Sequence, residues 1–155
     1  MLKAAQPQPS NLINKTAMVA EGNWQIAQAP AKVNLSLRIV GRRADGFHLL
    51  DSIVVFANVG DHVAIRPAVR QPTFSIRGPF ASSLEGPSGN NLAILADQAF
   101  TKAFGGKRSD IRLWKRLPTA AGIGGGSADA AAVLRLKAKL VGMELNDPNL
   151  SSVAL

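Results

Sequence analysis

The stretch richest in chemistry is Pro118-Thr-Ala-Ala-Gly-Ile-Gly-Gly-Gly-Ser-Ala-Asp-Ala-Ala-Ala132. Four glycines fall between Gly122 and Gly126, Ser127 follows at once, and an alanine-rich helical segment begins. Such a loop presents bare backbone N–H groups at a helix N-terminus, where the dipole also favours negative charge. Glycine suits it because a phosphate must approach the backbone closely, often at positive φ. The chemistry implied is a polyphosphate cradle built from Pro118, Thr119, Ala120, Ala121, Gly122, Ile123, Gly124, Gly125, Gly126, Ser127 and Ala128.

The loop is neither a P-loop, since no Gly-Lys-Ser/Thr closes it, nor the dinucleotide fingerprint, since Gly122-x-Gly124 is followed at the third glycine's position by Ser127. A flexible hinge is the plain alternative, but hinges rarely sit between a strand and a helix with serine in its first turn. Taken alone, Lys32 reads as a surface lysine on a strand, Phe47-His48 as a strand-edge aromatic beside an exposed histidine, and Asn91 as a helix cap. Asp129 suits a helix's first turn, where the dipole favours a carboxylate, but it would repel phosphate if it pointed inward, so a structural role is expected.

The elements that must hold these residues follow from periodicity. Trp24 to Ala29 reads as a short strand that Pro30 interrupts. Val33, Leu35, Leu37 and Ile39 alternate with polar residues, the pattern of a half-buried strand. A turn at 41–46 leads to a strand from Leu49 to Val59 with Ile53, Val55 and Ala57 on one face. Gly60-Asp61 reads as a turn into His62–Arg66, which Thr73–Arg77 could pair. Residues 78–89 are loop, with three glycines, two prolines and three serines. A helix capped at Asn90 or Asn91 carries Leu92, Leu95, Ala96, Ala99, Phe100 and Ala103 as its apolar stripe and ends at Gly105-Gly106. Ile111–Arg116 is a strand leading into the glycine loop. The helix beyond carries Ala131, Leu134, Ala138 and Val141 and stops at Gly142. Asp147-Pro148 starts a last helix through Leu155, inside which the chain stops, so a truncated chain is expected. The order predicts an α+β domain over residues 24–155, with no internal repeat and a disordered polar tail over 1–23. The tail lacks the apolar centre of a secretory signal. Its two lysines leave a transit peptide open without arginine support, and Met18 is a second candidate start.

Composition narrows the class. With 46% hydrophobic and 18% charged residues the chain is globular, and no apolar run is long enough to span a bilayer. The absence of cysteine excludes a disulfide framework and a thiolate metal site. A formal net charge of +8 suggests an anionic partner, yet the basic residues are scattered from Lys3 to Lys139, as on a solvated surface. An RNA-binding module is the rival that this charge suggests; it would show a steep salt dependence and leaves the glycine loop unexplained.

The loop, with Ala121-Gly-Ile-Gly-Gly-Gly-Ser-Ala-Asp-Ala-Ala131, resembles the phosphate-binding motif of the GHMP kinases, Pro-x-x-x-Gly-Leu-Gly-Ser/Gly-Ser/Gly-Ser. Within that family the triple glycine and Asp129-Ala-Ala resemble the members that act on 4-diphosphocytidyl-2-C-methyl-D-erythritol, in the non-mevalonate route to isoprenoids. Ala29-Pro-Ala-Lys-Val-Asn-Leu35, Gly41-Arg-Arg-Ala-Asp-Gly-Phe-His48, Asn91-Leu and Lys115-Arg-Leu-Pro118 match the same members in the same order, so the resemblance covers Ala29 to Leu155. Ala128 stands where those members usually have a second serine, and Phe47 where they have tyrosine.

The resemblance implies the fold of the GHMP-kinase N-terminal domain, a left-handed β-α-β arrangement shared with some ribosomal proteins. It implies ATP and magnesium as cofactors, bound along 118–128 with Ser127 at the metal and Asn91 and Lys115 on the adenine side. It implies Lys32 as the catalytic cation, and Asn34, Phe47 and His48 as substrate contacts, Phe47 stacking on cytosine and His48 bonding its polar edge. The reaction implied is ATP-dependent phosphorylation of the substrate's 2-hydroxyl by a cytoplasmic bacterial enzyme with a small-molecule partner, not a nucleic acid or membrane. Another GHMP kinase acting on mevalonate, homoserine or a sugar is the alternative, against which Phe47-His48 speaks. These kinases are roughly twice as long, and their Gly-Ala-Asp-Val/Ile-Pro aspartate, the expected base or hydroxyl-orienting group, would follow Leu155; a chain without it is expected to be inactive or severely impaired alone.

Overall fold

The structure, a computed structural model, describes residues 22–84, 90–119 and 122–153. The expected N-terminal tail, apart from Gly22 and Asn23, lies outside the described residues, as do Ala120 and Ala121 of the loop and residues 85–89 and 154–155. Four strands form one sheet in the order β1 (Gln25–Arg42), β2 (His48–Pro67), β4 (Ser109–Trp114), β3 (Phe74–Arg77). Among the described residues three α-helices accompany it: α1 (Leu92–Phe104), α2 (Gly125–Leu140) and α3 (Pro148–Ser152). Strand β2 is antiparallel to both β1 and β4, whereas β3 runs parallel to β4.

Neither interruption expected in the first two strands breaks them. Pro30 lies within β1, where the register shifts between Pro30 and Lys32, because a bulge tolerates a residue that cannot donate to the ladder. Gly60 is paired with Pro30 rather than turning the chain. A Cβ there would lie 2.2 Å from the Ala29 carbonyl oxygen, so the close approach of β1 requires glycine and β2 runs straight on through Asp61. Strand β3 joins β4, not the His62–Arg66 segment, since that segment's free edge is taken by β4 itself.

One face of the sheet is apolar where Val63, Ile65, Ile111 and Leu113 point at the helices. Period-two side chains on a strand make that face, and α1 and α2 bury it with Phe100, Val133, Leu134 and Leu136. Asn91 caps α1 by accepting from the Ala93 N–H at 3.0 Å, and Gly105 at φ 76° ends it. The buried face of α1 is Ala93, Ala96, Asp97 and Phe100, one position round from the expected stripe. Leu92 is exposed because Asp97 turns inward to the ammonium of Lys137 at 2.7 Å, the Ser109 N–H at 3.1 Å and the Arg108 guanidinium. Likewise Val141 is exposed, since α2 ends at Leu140. Helix α3 starts at Pro148 as expected, with Asp147 capping it, and ends at Ser152 rather than running to Leu155. On the other sheet face the guanidiniums of Arg66 and Arg112 lie over the Trp24 ring at 4.6 and 4.2 Å.

The far half of the β1–β2 ribbon departs from the half-buried expectation. Leu35, Ile39, Ile53 and Phe56 are each more than 60% exposed, and Val33 and Val55 are open as well. The helices lie over the end of the sheet that contains Ala29, Val63 and Leu113, and no described element covers the ribbon beyond it.

Candidate active site

The glycine loop becomes the N-terminus of α2. Gly124 sits in the left-handed region at φ 69° and ψ 21°, a turn that glycine adopts without strain, and the helix proper begins at Gly125. Among the described residues no side chain caps this helix. The first turn's N–H groups have no intrahelical acceptor, which is the condition for holding an anion there. The Ala128 amide donates to the Gly124 carbonyl at 2.9 Å, the first such bond among the described residues.

A cavity of about 380 Å³ opens in front of the loop. Pro118, Thr119 and Gly122 through Ser127 line it, and so do Asn91 from the cap of α1 and Lys115 from the end of β4. The structure therefore brings together most of the residues that the sequence assigned to nucleotide binding. Ala128 turns towards the core instead.

Lys32 reaches this site across the β1 bulge. Its N–H donates to the Ile123 carbonyl at 3.0 Å, and its ammonium donates to Asn34 Oδ1 at 2.9 Å. Its stem lies alongside Gly124, where an added Cβ would sit 3.7 Å from Lys32 Cβ. The register shift after Pro30 is what turns Lys32 to the loop. Phe47 and His48 are not brought to this cavity. They occupy the far end of the β1–β2 ribbon, where His48 pairs with Arg42 and Phe47 is 71% exposed. Roughly 30 Å of extended strand separates that end from Lys32.

Beneath the loop lies a buried charge cluster that the sequence reading missed. Lys115 donates to Asp61 Oδ2 at 2.5 Å and to Asp129 Oδ2 at 3.0 Å, all three side chains being almost wholly buried. Asp61 Oδ1 accepts from the N–H groups of Arg116 at 2.6 Å and Leu117 at 2.9 Å. Burial pushes the Asp129 carboxyl up to about 7; the Lys115 charge opposes that shift and the Asp61 carboxylate adds to it. Burial would lower the Lys115 ammonium, but its bonds to Asp61 and its attraction to Asp129 outweigh it and hold it above the usual value. Asp61 was read as part of a turn. The signal that could have found it is an acid set between the apolar stretches Ile53–Ala57 and Val63–Ile65, where it must be paired if the strand is buried.

Among the described residues no group of three or more His, Asp or Glu side chains forms a metal site, and no helix is long and apolar enough to cross a membrane. The fit to magnesium is therefore one hydroxyl, Ser127, next to amides suited to phosphate. Such an ion would be held chiefly by phosphate oxygens and water, as magnesium commonly is.

Residues 91–155 match the family model described as GHMP kinases N terminal domain. The chain is 51% identical over 129 residues to the 4-diphosphocytidyl-2-C-methyl-D-erythritol kinase of Xanthobacter autotrophicus, a match over 83% of this chain and 43% of that protein. It superposes on the crystal structure of a 4-(cytidine 5'-diphospho)-2C-methyl-D-erythritol kinase with a TM-score of 0.62 and 32% identity, covering 84% of this chain and 46% of the other. A homoserine kinase from Cytophaga hutchinsonii shares the fold at a TM-score of 0.61 and 19% identity, over 86% and 40% of the two chains. The chain spans less than half the length of the curated relatives it matches, 43% and 44% of the first two. Its described residues carry the fold of the GHMP kinase N-terminal domain.

Proposed function

We propose that this chain supplies the nucleotide-binding part of a kinase that transfers the γ-phosphoryl group of ATP to the 2-hydroxyl of 4-diphosphocytidyl-2-C-methyl-D-erythritol. The observation that carries the proposal is the uncapped N-terminus of α2, preceded by the left-handed Gly124 and facing a cavity that Asn91 and Lys115 also line. The substrate is inferred from relatives of that name at 45–51% identity.

Phosphoryl transfer asks a protein mainly for positioning and for charge stabilisation. The amides of Gly125, Gly126 and Ser127 would hold phosphate oxygens, and the Ser127 hydroxyl would stand at the metal. When bound, ATP supplies the phosphoryl group and magnesium offsets part of its charge. Lys32, fixed to the loop through Ile123, would place a cation between the cradle and the acceptor hydroxyl, with Asn34 orienting its ammonium. Phe47 and His48 would receive the cytosine end of the substrate. The hydroxyl proton would go to an aspartate that the resemblance puts outside these 155 residues.

The test is incubation of the natural gene product with ATP, magnesium and the cytidyl substrate, followed by mass spectrometry. Formation of the monophosphorylated substrate with equal ADP supports the reading. Turnover of mevalonate or homoserine in its place overturns the substrate assignment.

A further inference from the structure

The buried cluster beneath the loop takes no part in the transfer chemistry, yet it touches both ends of the cradle. We propose that Asp61 is the positioning residue of the phosphate loop, fixing its two feet and thereby setting nucleotide affinity without touching the nucleotide. This rests on the nucleotide site proposed above.

One foot is the corner where the chain leaves β4. There Asp61 Oδ1 takes two successive amides, those of Arg116 and Leu117, immediately before Pro118. The other foot is α2 just past its first turn, where Asp61 Oδ2 holds Lys115 and Lys115 in turn holds Asp129, one residue after Ala128. A single carboxylate thus joins β2 to both ends of the loop. Asp61 is wholly buried, so it acts through these groups alone. Its own place is set by Gly60, which lets β1 approach to a distance that no side chain would permit. A loop pinned at both feet loses little freedom when a ligand binds, and preorganisation of that kind appears directly as affinity.

Asp97 provides an internal control. It is equally buried and equally well bonded, to Lys137, Arg108 and the Ser109 amide, but it joins α1 to the middle of the domain and not to the loop. A merely stabilising role would make the two aspartates interchangeable in their effects.

The experiment compares the wild-type chain with Asp61→Asn, Asp129→Asn and Asp97→Asn. Mg·ADP affinity is measured by isothermal titration calorimetry, and the amide resonances of Gly124, Gly125 and Gly126 are followed without ligand. Asp61→Asn is expected to weaken Mg·ADP at least tenfold and to move those three resonances. Asp129→Asn, which keeps an acceptor for Lys115 and leaves the β4 corner intact although Asp129 itself lines the cavity, is expected to show a smaller change of the same kind, and its loop resonances without ligand decide the matter if Asp61→Asn does not fold. Asp97→Asn is expected to lower the melting temperature while leaving affinity and loop resonances as in the wild type. Unchanged affinity and resonances in both loop-foot variants would overturn the inference, as would equal losses in Asp97→Asn. A wild-type chain that binds no Mg·ADP would remove the nucleotide reading, and the claim about affinity with it; loop resonances indifferent to Asp61→Asn would remove the positioning role while leaving the nucleotide reading intact.

Discussion

The N–H of Lys32 donates to the carbonyl of Ile123 at 3.0 Å, so the strand that carries the expected catalytic cation is bonded directly to the glycine loop. Backbone fixes this relationship, and it survives loss of the lysine side chain. The ammonium can therefore be removed without releasing the loop.

Lys32→Ala is accordingly expected to lower kcat of the natural gene product by about 10²-fold or more, the scale on which a lost electrostatic stabiliser acts, while the dissociation constant for Mg·ADP changes only slightly. Steady-state kinetics together with nucleotide titration check it. A near-normal rate would take Lys32 out of the chemistry.

Gly124→Val places a β-branched side chain at φ 69°, where it costs roughly 1–2 kcal/mol of backbone strain, and pushes its Cβ substituents towards the Lys32 stem. Thermal unfolding should show that loss, and nucleotide affinity should fall by about tenfold or more because the first turn of α2 is displaced.

Phe100 is fully buried between α1 and the sheet and tilts against Phe104 with ring centroids 4.8 Å apart. Phe100→Ala removes this packing and leaves a cavity, at a cost of about 3–5 kcal/mol. Chemical denaturation should register it as a large drop in midpoint, since such a loss is a substantial fraction of the about 5–15 kcal/mol that holds a domain folded.

Asp110 governs part of the acid stability. Burial would raise its carboxyl, but the N–H and hydroxyl of Thr73 and the guanidinium of Arg66 prevail and hold it below the ordinary 3.8. A depressed carboxylate contributes stability above its unfolded value and loses it as pH falls through the folded one. Asp110→Asn should therefore melt lower than the wild type at neutral pH. The gap should close as pH falls below 3.8, as melting curves across that range would show.

Much of this was legible in the sequence, for reasons that differ by element. The glycine run, the Asn91 cap and the Asp147-Pro148 start are local signals, and the structure places each where it was expected. What failed depended on partners distant in sequence. Gly60 looks like a turn until Ala29 is known to lie against it, and Asp61 looks like a turn residue until Lys115 is. The stripe on α1 was misplaced by one position because Asp97 is buried, and only Lys137 and Arg108 make that burial tolerable. Along Val33 to Ile39 the alternation is real, but the described residues provide nothing to cover it, so its apolar side chains stand exposed.

The central claim, that the loop at the start of α2 binds the phosphates of ATP, is tested most directly by the Gly125, Gly126 and Ser127 amide resonances during a titration with Mg·ADP. Large, saturable shifts confined to these residues and their neighbours across the cavity, Asn91 and Lys115, are predicted. Saturable binding that leaves these amides unmoved while shifting residues elsewhere would contradict the account.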